Sequence, residues 1–218
     1  MQQIDHIAYM NLRDGAKVLE ADGSGDKVLL LADGNFLKLF RRKRLFTSAA
    51  LFPYAQRFAE NASALQRLGI ACPRVLGLYR EPSIGRDLVH YSPLTGQTLR
   101  HWLSKNNDAG AIVRRQLGHF VAQLHENGVY FRSLHLGNIV LTPESQLGLI
   151  DIADLRTQRS KLGKWMRLRN FRHMLRYNED RAWLLQDNAA DFIDGYLECT
   201  SVHFNRHALQ QKLLRHRI

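Results

Sequence analysis

The spacing of apolar residues changes along this chain, and this change limits the folds that it can adopt. Up to about residue 92, short apolar runs alternate with turn residues, which is typical of strands. Five runs predict strands, at residues 16–21, 27–32, 36–40, 74–78 and 87–91. After residue 92, most apolar residues recur at helical spacing. We therefore expect an α+β fold with a strand-rich first part and a mainly helical second part.

The same patterns place the helices and one further hairpin. A helix is expected after Pro53, with Gly69 ending it, and it would be the single helix of the first part. In the second part, helices are predicted over residues 113–124 and 183–198 and from residue 206 onward, and a hairpin over residues 139–141 and 147–150. The change of pattern near residues 92–96 divides the chain into residues 1–92 and 93–218.

Several classes of protein are excluded or disfavoured by the sequence. The longest apolar run, about residues 28–32, is far too short for a transmembrane helix. The first residues lack the basic and apolar segments of a secretory signal. Cys72 and Cys199 have neither metal-ligand spacing nor the pattern of a disulfide framework. A cytoplasmic location is expected, and peripheral attachment to a membrane stays open.

The charge indicates an anionic partner. The chain has 31 Lys and Arg against 20 Asp and Glu, a formal net charge of +11, which suits a nucleic acid, an anionic membrane face or an acidic substrate. Residues 156–176, here called the basic run, hold eight basic residues and no acidic one. If they form one helix, Lys161, Lys164, Arg172 and Arg176 share a face. Nucleic acid is disfavoured because no known binding module is recognisable.

Four features occur in an order that suits phosphoryl transfer. Lys38 lies in the third predicted strand, Glu60 in the first helix, residues 131–138 form a polar loop, and Asp151 ends the hairpin. In such enzymes a strand lysine contacts the α- and β-phosphates and is held by a helix glutamate, while an asparagine and an aspartate hold Mg²⁺. The corresponding ligands here are Asn138 and Asp151, whose oxygens suit Mg²⁺. The predicted cofactors are therefore ATP and Mg²⁺. The residues predicted to bind ATP are Lys38, Glu60, Asn138 and Asp151.

Residues 132–138, with Asn138 at their end, followed by Asp151, resemble the catalytic loop and metal motif of the protein-kinase-like fold. The closest resemblance is to bacterial lipopolysaccharide core kinases, which phosphorylate heptose or Kdo sugars, including short members labelled toluene tolerance proteins. This resemblance covers about residues 16–200. It implies a two-lobed fold with a small N-lobe of about five antiparallel strands and one helix, and a helical C-lobe. It also implies that the basic run faces anionic lipopolysaccharide precursors or the inner membrane.

The catalytic positions depart from the pattern of that family. Ser133 stands where kinases carry the general-base aspartate, and such assistance is typically worth about 10²–10⁴ in rate. His135 and Asp154 are candidates for a proton-transfer or spare carboxylate role.

Three functions are consistent with these features. One is an ATP-dependent sugar kinase, the second a pseudokinase that acts as a nucleotide-binding or scaffold module in cell-envelope biogenesis, and the third a nucleic-acid-binding protein. The third rests on net charge alone.

Overall fold

A computed structural model describes residues 1–42, 53–106 and 110–215. The chain forms two compact units. Unit 1 comprises Met1–Leu94 and Asp151–Asp154, and unit 2 comprises Thr95–Ile150 and Leu155–Ile218. Both contain helices and strands, so the α+β class is confirmed. The arrangement of residues 1–92 and 93–218 as kinase lobes stays a prediction.

Unit 1 is built on a six-stranded sheet. Its strands are β1 (Gln2–Gln3), β2 (Lys17–Asp22), β3 (Gly25–Leu30), β4 (Phe36–Arg41), β5 (Arg74–Glu81) and β6 (Arg86–Ser92). They follow the order β1-β5-β6-β4-β3-β2. The five predicted strands are confirmed. Strand β1 was not predicted, and it pairs parallel to β5. The expectation of about five strands, all antiparallel, was therefore incomplete.

Unit 1 also has a helix that the apolar pattern did not predict. Helix α1 (His6–Leu12) begins at Asp5, whose carboxylate accepts a hydrogen bond from the Ala8 amide at 2.8 Å. Only Tyr9 of this helix is buried, whereas Ile7 is 72% exposed. Because its apolar residues do not share one buried face, their spacing gave no helical signal.

The predicted helix after Pro53 is confirmed as α2 (Tyr54–Arg67), and Gly69 follows it with a φ of 68°. Its buried face includes Phe58, Ala62 and Leu65. In β4, Leu37 and Leu39 belong to the buried apolar cluster of the sheet. Because side chains alternate along a strand, Lys38 lies on the opposite face from that cluster.

Unit 2 is mainly helical. Its helices are α3 (Leu99–Leu103), α4 (Gly110–Glu126), α5 (Lys164–Met174), α6 (Asn178–Leu184), α7 (Ala190–Cys199) and α8 (Arg206–Leu214). Its short strands are β7 (Gln97–Thr98), β8 (Val129–Phe131), β9 (Ile139–Leu141), β10 (Leu147–Leu149) and β11 (Leu155–Thr157). The predicted hairpin is confirmed as β9 and β10. Within the described ranges, no helix is long and apolar enough to span a bilayer.

The prediction of a single helix over residues 183–198 was wrong. Asp187, Asn188 and Ala189 have φ values of 49°, 58° and 62°, and a right-handed helix cannot continue through such backbone. Helix α6 therefore ends at Leu184 and α7 begins at Ala190. The buried Arg114 side chain of α4 contacts the carboxylates of Asp187 and Asp191, which stabilises this turn.

The basic run does not form one helix either. It begins in β11, continues through a loop and enters helix α5 only at Lys164. The expectation that one helix face carries Lys161, Lys164, Arg172 and Arg176 is therefore wrong. Lys161 donates a hydrogen bond to Ser201, and Lys164 lies 5.0 Å from the centre of the Phe204 ring.

Candidate active site

Unit 1 brings together two of the predicted site residues. Lys38 Nζ lies 2.5 Å from Asp151 Oδ1, although the two residues are 113 positions apart. The Lys38 side chain is 17% exposed and that of Asp151 51%. Burial and, second, the charge of Asp151 raise the pKa of Tyr91. The result is a half-buried cation beside a carboxylate that still faces solvent.

The backbone at Asp151 is unusual and is supported by a buried amide. Asp151 has a φ of 53°, in the left-handed region that aspartate tolerates better than most residues. The turn that follows, Ile152–Asp154, contains the candidate Asp154 and packs on α2. Asn61 of α2 donates a hydrogen bond to the Ile152 carbonyl at 2.7 Å. Sequence reasoning missed Asn61, although a polar residue among the buried positions of α2 is a detectable signal.

Glu60 occupies a different position from the one that its predicted role requires. Its side chain is exposed and accepts a hydrogen bond from Gln56 Nε2 at 2.9 Å. Successive residues of a helix point about 100° apart, and α2 turns Asn61 inward instead. Among the described residues, the ion-pair partner of Lys38 is Asp151. The expected Lys38–Glu60 contact is thus replaced by Lys38–Asp151.

The loop of residues 131–138 lies in unit 2 and is closed by its own hydrogen bonds. Phe131 ends β8 and is fully buried, which assigns it a packing role. Asn138 is 9% exposed and donates from Nδ2 to the carbonyl of Ser133 at 3.0 Å. Its amide nitrogen is therefore already used, and its amide oxygen is the atom suited to a cation.

An aspartate that sequence reasoning missed holds this loop. Asp180, at the start of α6, is 1% exposed and accepts two hydrogen bonds from Arg100, at 2.8 and 2.9 Å. It also accepts one from the Leu136 amide at 3.0 Å. Beside it, the His135 ring meets Tyr177 edge-on with centroids 4.9 Å apart. No spacing rule identifies Asp180, because its role depends on where α6 lies in the fold.

A second support of the loop is a buried chain of polar side chains. Asn170 donates to the Phe131 carbonyl at 2.6 Å, and its oxygen lies 3.2 Å from His125 Nε2. His125 Nδ1 lies 2.9 Å from the Tyr196 hydroxyl, which accepts from Arg167 at 3.0 Å. Donors and acceptors alternate without conflict only if neutral His125 carries its proton on Nε2. Burial lowers the pKa of His125 to about 3, which agrees with the neutral form.

The candidate metal ligands suit a Mg²⁺ ion that also binds phosphate and water, and not a metal bound by protein side chains alone. Within the described residues, no group of three or more His, Cys, Asp or Glu side chains could hold a metal. Mg²⁺ commonly binds one or two carboxylates together with phosphate oxygens and water. Asp151 and the amide oxygen of Asn138 each offer a hard oxygen ligand of this kind.

Comparison with known proteins identifies the class. Residues 40–196, well over half of the chain, match the model of the lipopolysaccharide kinase (Kdo/WaaP) family. The chain therefore belongs to this kinase-like family, as its loop and metal motif indicated. The match includes every predicted site residue except Lys38, which precedes it. No curated protein matches the chain.

Proposed function

We propose that this protein is an ATP- and Mg²⁺-dependent phosphotransferase that acts on a sugar of the lipopolysaccharide core. The contact between Lys38 and Asp151 carries this proposal, because it brings together, across 113 residues, the cation predicted to bind phosphates and the carboxylate predicted to bind the metal. In this proposal Lys38 binds the α- and β-phosphates of ATP. Asp151 and Asn138 hold the metal, which when bound offsets the charge of the transferring phosphoryl group.

Ser133 has the role of orienting the acceptor hydroxyl in this proposal. A serine hydroxyl is too weak a base to take a proton at neutral pH. Without the general-base assistance of an aspartate at this position, phosphate transfer is slower. Phosphoryl transfer depends mainly on positioning and electrostatics, so activity persists at a reduced rate. His135 and Asp154 are the proposed aids to proton transfer. Glu60 has no part in this proposal, because its side chain accepts from Gln56 and Lys38 pairs with Asp151.

The acceptor is proposed to be anionic and to lie at the inner face of the membrane. The basic run supports this, because Arg156, Arg159, Arg169, Arg172 and Arg176 are exposed. Arg167 is excluded from this surface because it is fully buried.

A pseudokinase is the second candidate, favoured by the serine at position 133. Titration calorimetry with ATP, with and without Mg²⁺, followed by a transfer assay on dephosphorylated core oligosaccharide, separates the two. We expect Mg²⁺-dependent ATP binding that Lys38→Met and Asp151→Asn abolish, and slow phosphate transfer that is lost in Asp151→Asn. Arg67→Gln, which removes an exposed charge from the end of α2, is the control.

Each result of these assays has one meaning. ATP binding without transfer above the Asp151→Asn background would favour the pseudokinase. Absence of ATP binding would contradict the phosphotransferase and leave a scaffold that binds no nucleotide. Transfer that Ser133→Ala lowers strongly would assign the hydroxyl a role in the reaction, whereas unchanged transfer would remove Ser133 from it.

A further inference from the structure

One histidine of unit 2 lies among arginines that have no carboxylate partner in the described part of the chain. His173 of α5 is half-buried, and its Nε2 lies 3.0 Å from the Tyr130 hydroxyl. Its Nδ1 lies 3.3 Å from Nη2 of Arg176. Arg169 lies one helical turn before His173 in α5. Arg176 lies just past the end of α5, and this contact places it beside the His173 ring. Both ring nitrogens of His173 thus face a polar neighbour.

A third arginine follows strand β8, whose Tyr130 contacts His173. Arg132 lies two residues beyond Tyr130 and directly precedes Ser133, and its side chain is exposed. Burial, followed by the charges of Arg176, Arg132 and Arg169, lowers the pKa of His173. Arg132 and Arg176 thus lie on either side of the contact between Tyr130 and His173, and Arg169 lies one helical turn away.

Among the residues that the structure describes, no carboxylate compensates the charge of these arginines. In the described ranges, none of Arg132, Arg169 and Arg176 forms an ion pair with a carboxylate. Elsewhere in unit 2, Arg100 and Arg114 each contact acidic side chains. Grouping uncompensated like charges is unfavourable, so the cluster is most stable when an anion binds to it.

We propose that Arg132, Arg169 and Arg176 form a binding site for an anionic group, a phosphate or a carboxylate, on the acceptor sugar. Guanidinium groups match the geometry of both anions through paired hydrogen bonds. The position of Arg132 beside Ser133 favours an acceptor over an extended membrane surface. The acceptor role rests on the proposed function, whereas anion binding itself does not.

The test is a titration of the full chain with inorganic phosphate. The ring signals of His173 in NMR spectra and the fluorescence of Trp165 serve as local readouts, because the Arg169 guanidinium lies 5.2 Å from the Trp165 ring centre. We expect saturable binding that Arg132→Gln, Arg169→Gln or Arg176→Gln each weakens about tenfold, the effect of losing one charged hydrogen bond. The charge-matched control is Arg67→Gln or Arg74→Gln, exposed arginines of unit 1.

The result that overturns the proposal is absent binding, or equal weakening by the control substitutions, which would indicate an effect of net charge alone. A parallel series uses vesicles of phosphatidylcholine with phosphatidic acid. Loss of vesicle binding in the three variants with unchanged affinity for free phosphate would assign the cluster to a lipid surface and also overturn the proposal.

The same titration in Asp151→Asn keeps the two proposals separable. Phosphate binding that survives this substitution belongs to the arginine cluster and not to the nucleotide site. Phosphate binding without any ATP binding would leave the anion site standing and remove the proposed phosphotransferase. ATP-dependent transfer without phosphate binding at the cluster would do the reverse.

Discussion

A single buried arginine organises much of the polar interior of unit 2. Arg167 is fully buried and donates to the Leu162 carbonyl, the Tyr196 and Thr200 hydroxyls and the Glu126 carboxylate. Burial alone would raise the pKa of Glu126, but the Ser201 hydrogen bonds and Arg167 outweigh it and lower that pKa to about 2. Glu126 is therefore a carboxylate at neutral pH, hydrogen-bonded to the Arg167 guanidinium and to Ser201.

Replacing this arginine is expected to destabilise the fold. Arg167→Met keeps the volume but leaves several buried acceptors without their donor, and breaking such a pair costs about 3 kcal/mol of unfolding free energy. Urea denaturation measures this loss. Arg172→Met, an exposed position on the same helix, is the matched control. Equal denaturation midpoints for the two variants would disprove the structural role of Arg167.

His125 is expected to make the stability of the protein depend on pH. Its pKa is about 3 in the folded chain, against a usual value of 6.5, because burial disfavours its charged form. Between these values the unfolded chain binds a proton that the folded chain does not. The unfolding free energy therefore falls as pH decreases below about 6.5, by at most about 1.4 kcal/mol per pH unit.

Urea denaturation between pH 7.5 and pH 4.5, with His125→Gln beside the native chain, checks this effect. His125→Gln should flatten the dependence, whereas His207→Gln, at an exposed position, should leave it unchanged. If His125→Gln does not fold, NMR titration of the His125 ring in the native chain gives the same answer. A ring that titrates near pH 6.5 would contradict the expectation.

Among the elements, those fixed by local patterns were predicted well. Strands β2 to β6 and helices α2 and α4 follow apolar spacing and turn residues, and each was predicted. The break between α6 and α7 was not, because the contacts of Arg114 with Asp187 and Asp191 stabilise it across more than seventy residues. A sequence window contains only one side of such a contact.

Asp180 links helix α6 to the loop of residues 131–138. Asp180→Asn keeps the shape of the side chain but removes the charge that Arg100 and the Leu136 amide share. A hydrogen bond to a charged group contributes about 1.5–3 kcal/mol, so hydrogen exchange at Leu136 should accelerate at least about tenfold. Exchange monitored by NMR measures this rate.

The control is Glu179→Gln, which removes the neighbouring carboxylate. This side chain is 64% exposed, so its replacement should have little effect. Equal acceleration in both variants would contradict the role of Asp180.

At the scale of the whole molecule, the candidate site could be predicted only in part. Lys38, Asn138 and Asp151 were predicted from their residue types and order, and the structure brings Lys38 and Asp151 into contact. The choice of Asp151 over Glu60 as the partner of Lys38 was not, since it depends on which residue α2 turns inward. Asn61 and Asp180 were missed for the same reason, because each acts by hydrogen-bonding to a backbone group that is distant in the sequence.

The net charge of +11 should make the protein bind anionic membranes. Each basic residue near such a surface contributes about 1 kcal/mol. The full chain should sediment with vesicles that contain phosphatidylglycerol but not with pure phosphatidylcholine, and NaCl should weaken this binding because it screens exposed charges. Arg156→Gln, Arg159→Gln and Arg172→Gln together should weaken it about a hundredfold. The triple control Lys17→Gln, Arg67→Gln and Arg74→Gln removes the same charge from exposed sites of unit 1. If both sets weaken binding equally, total charge and not the basic run attracts the membrane.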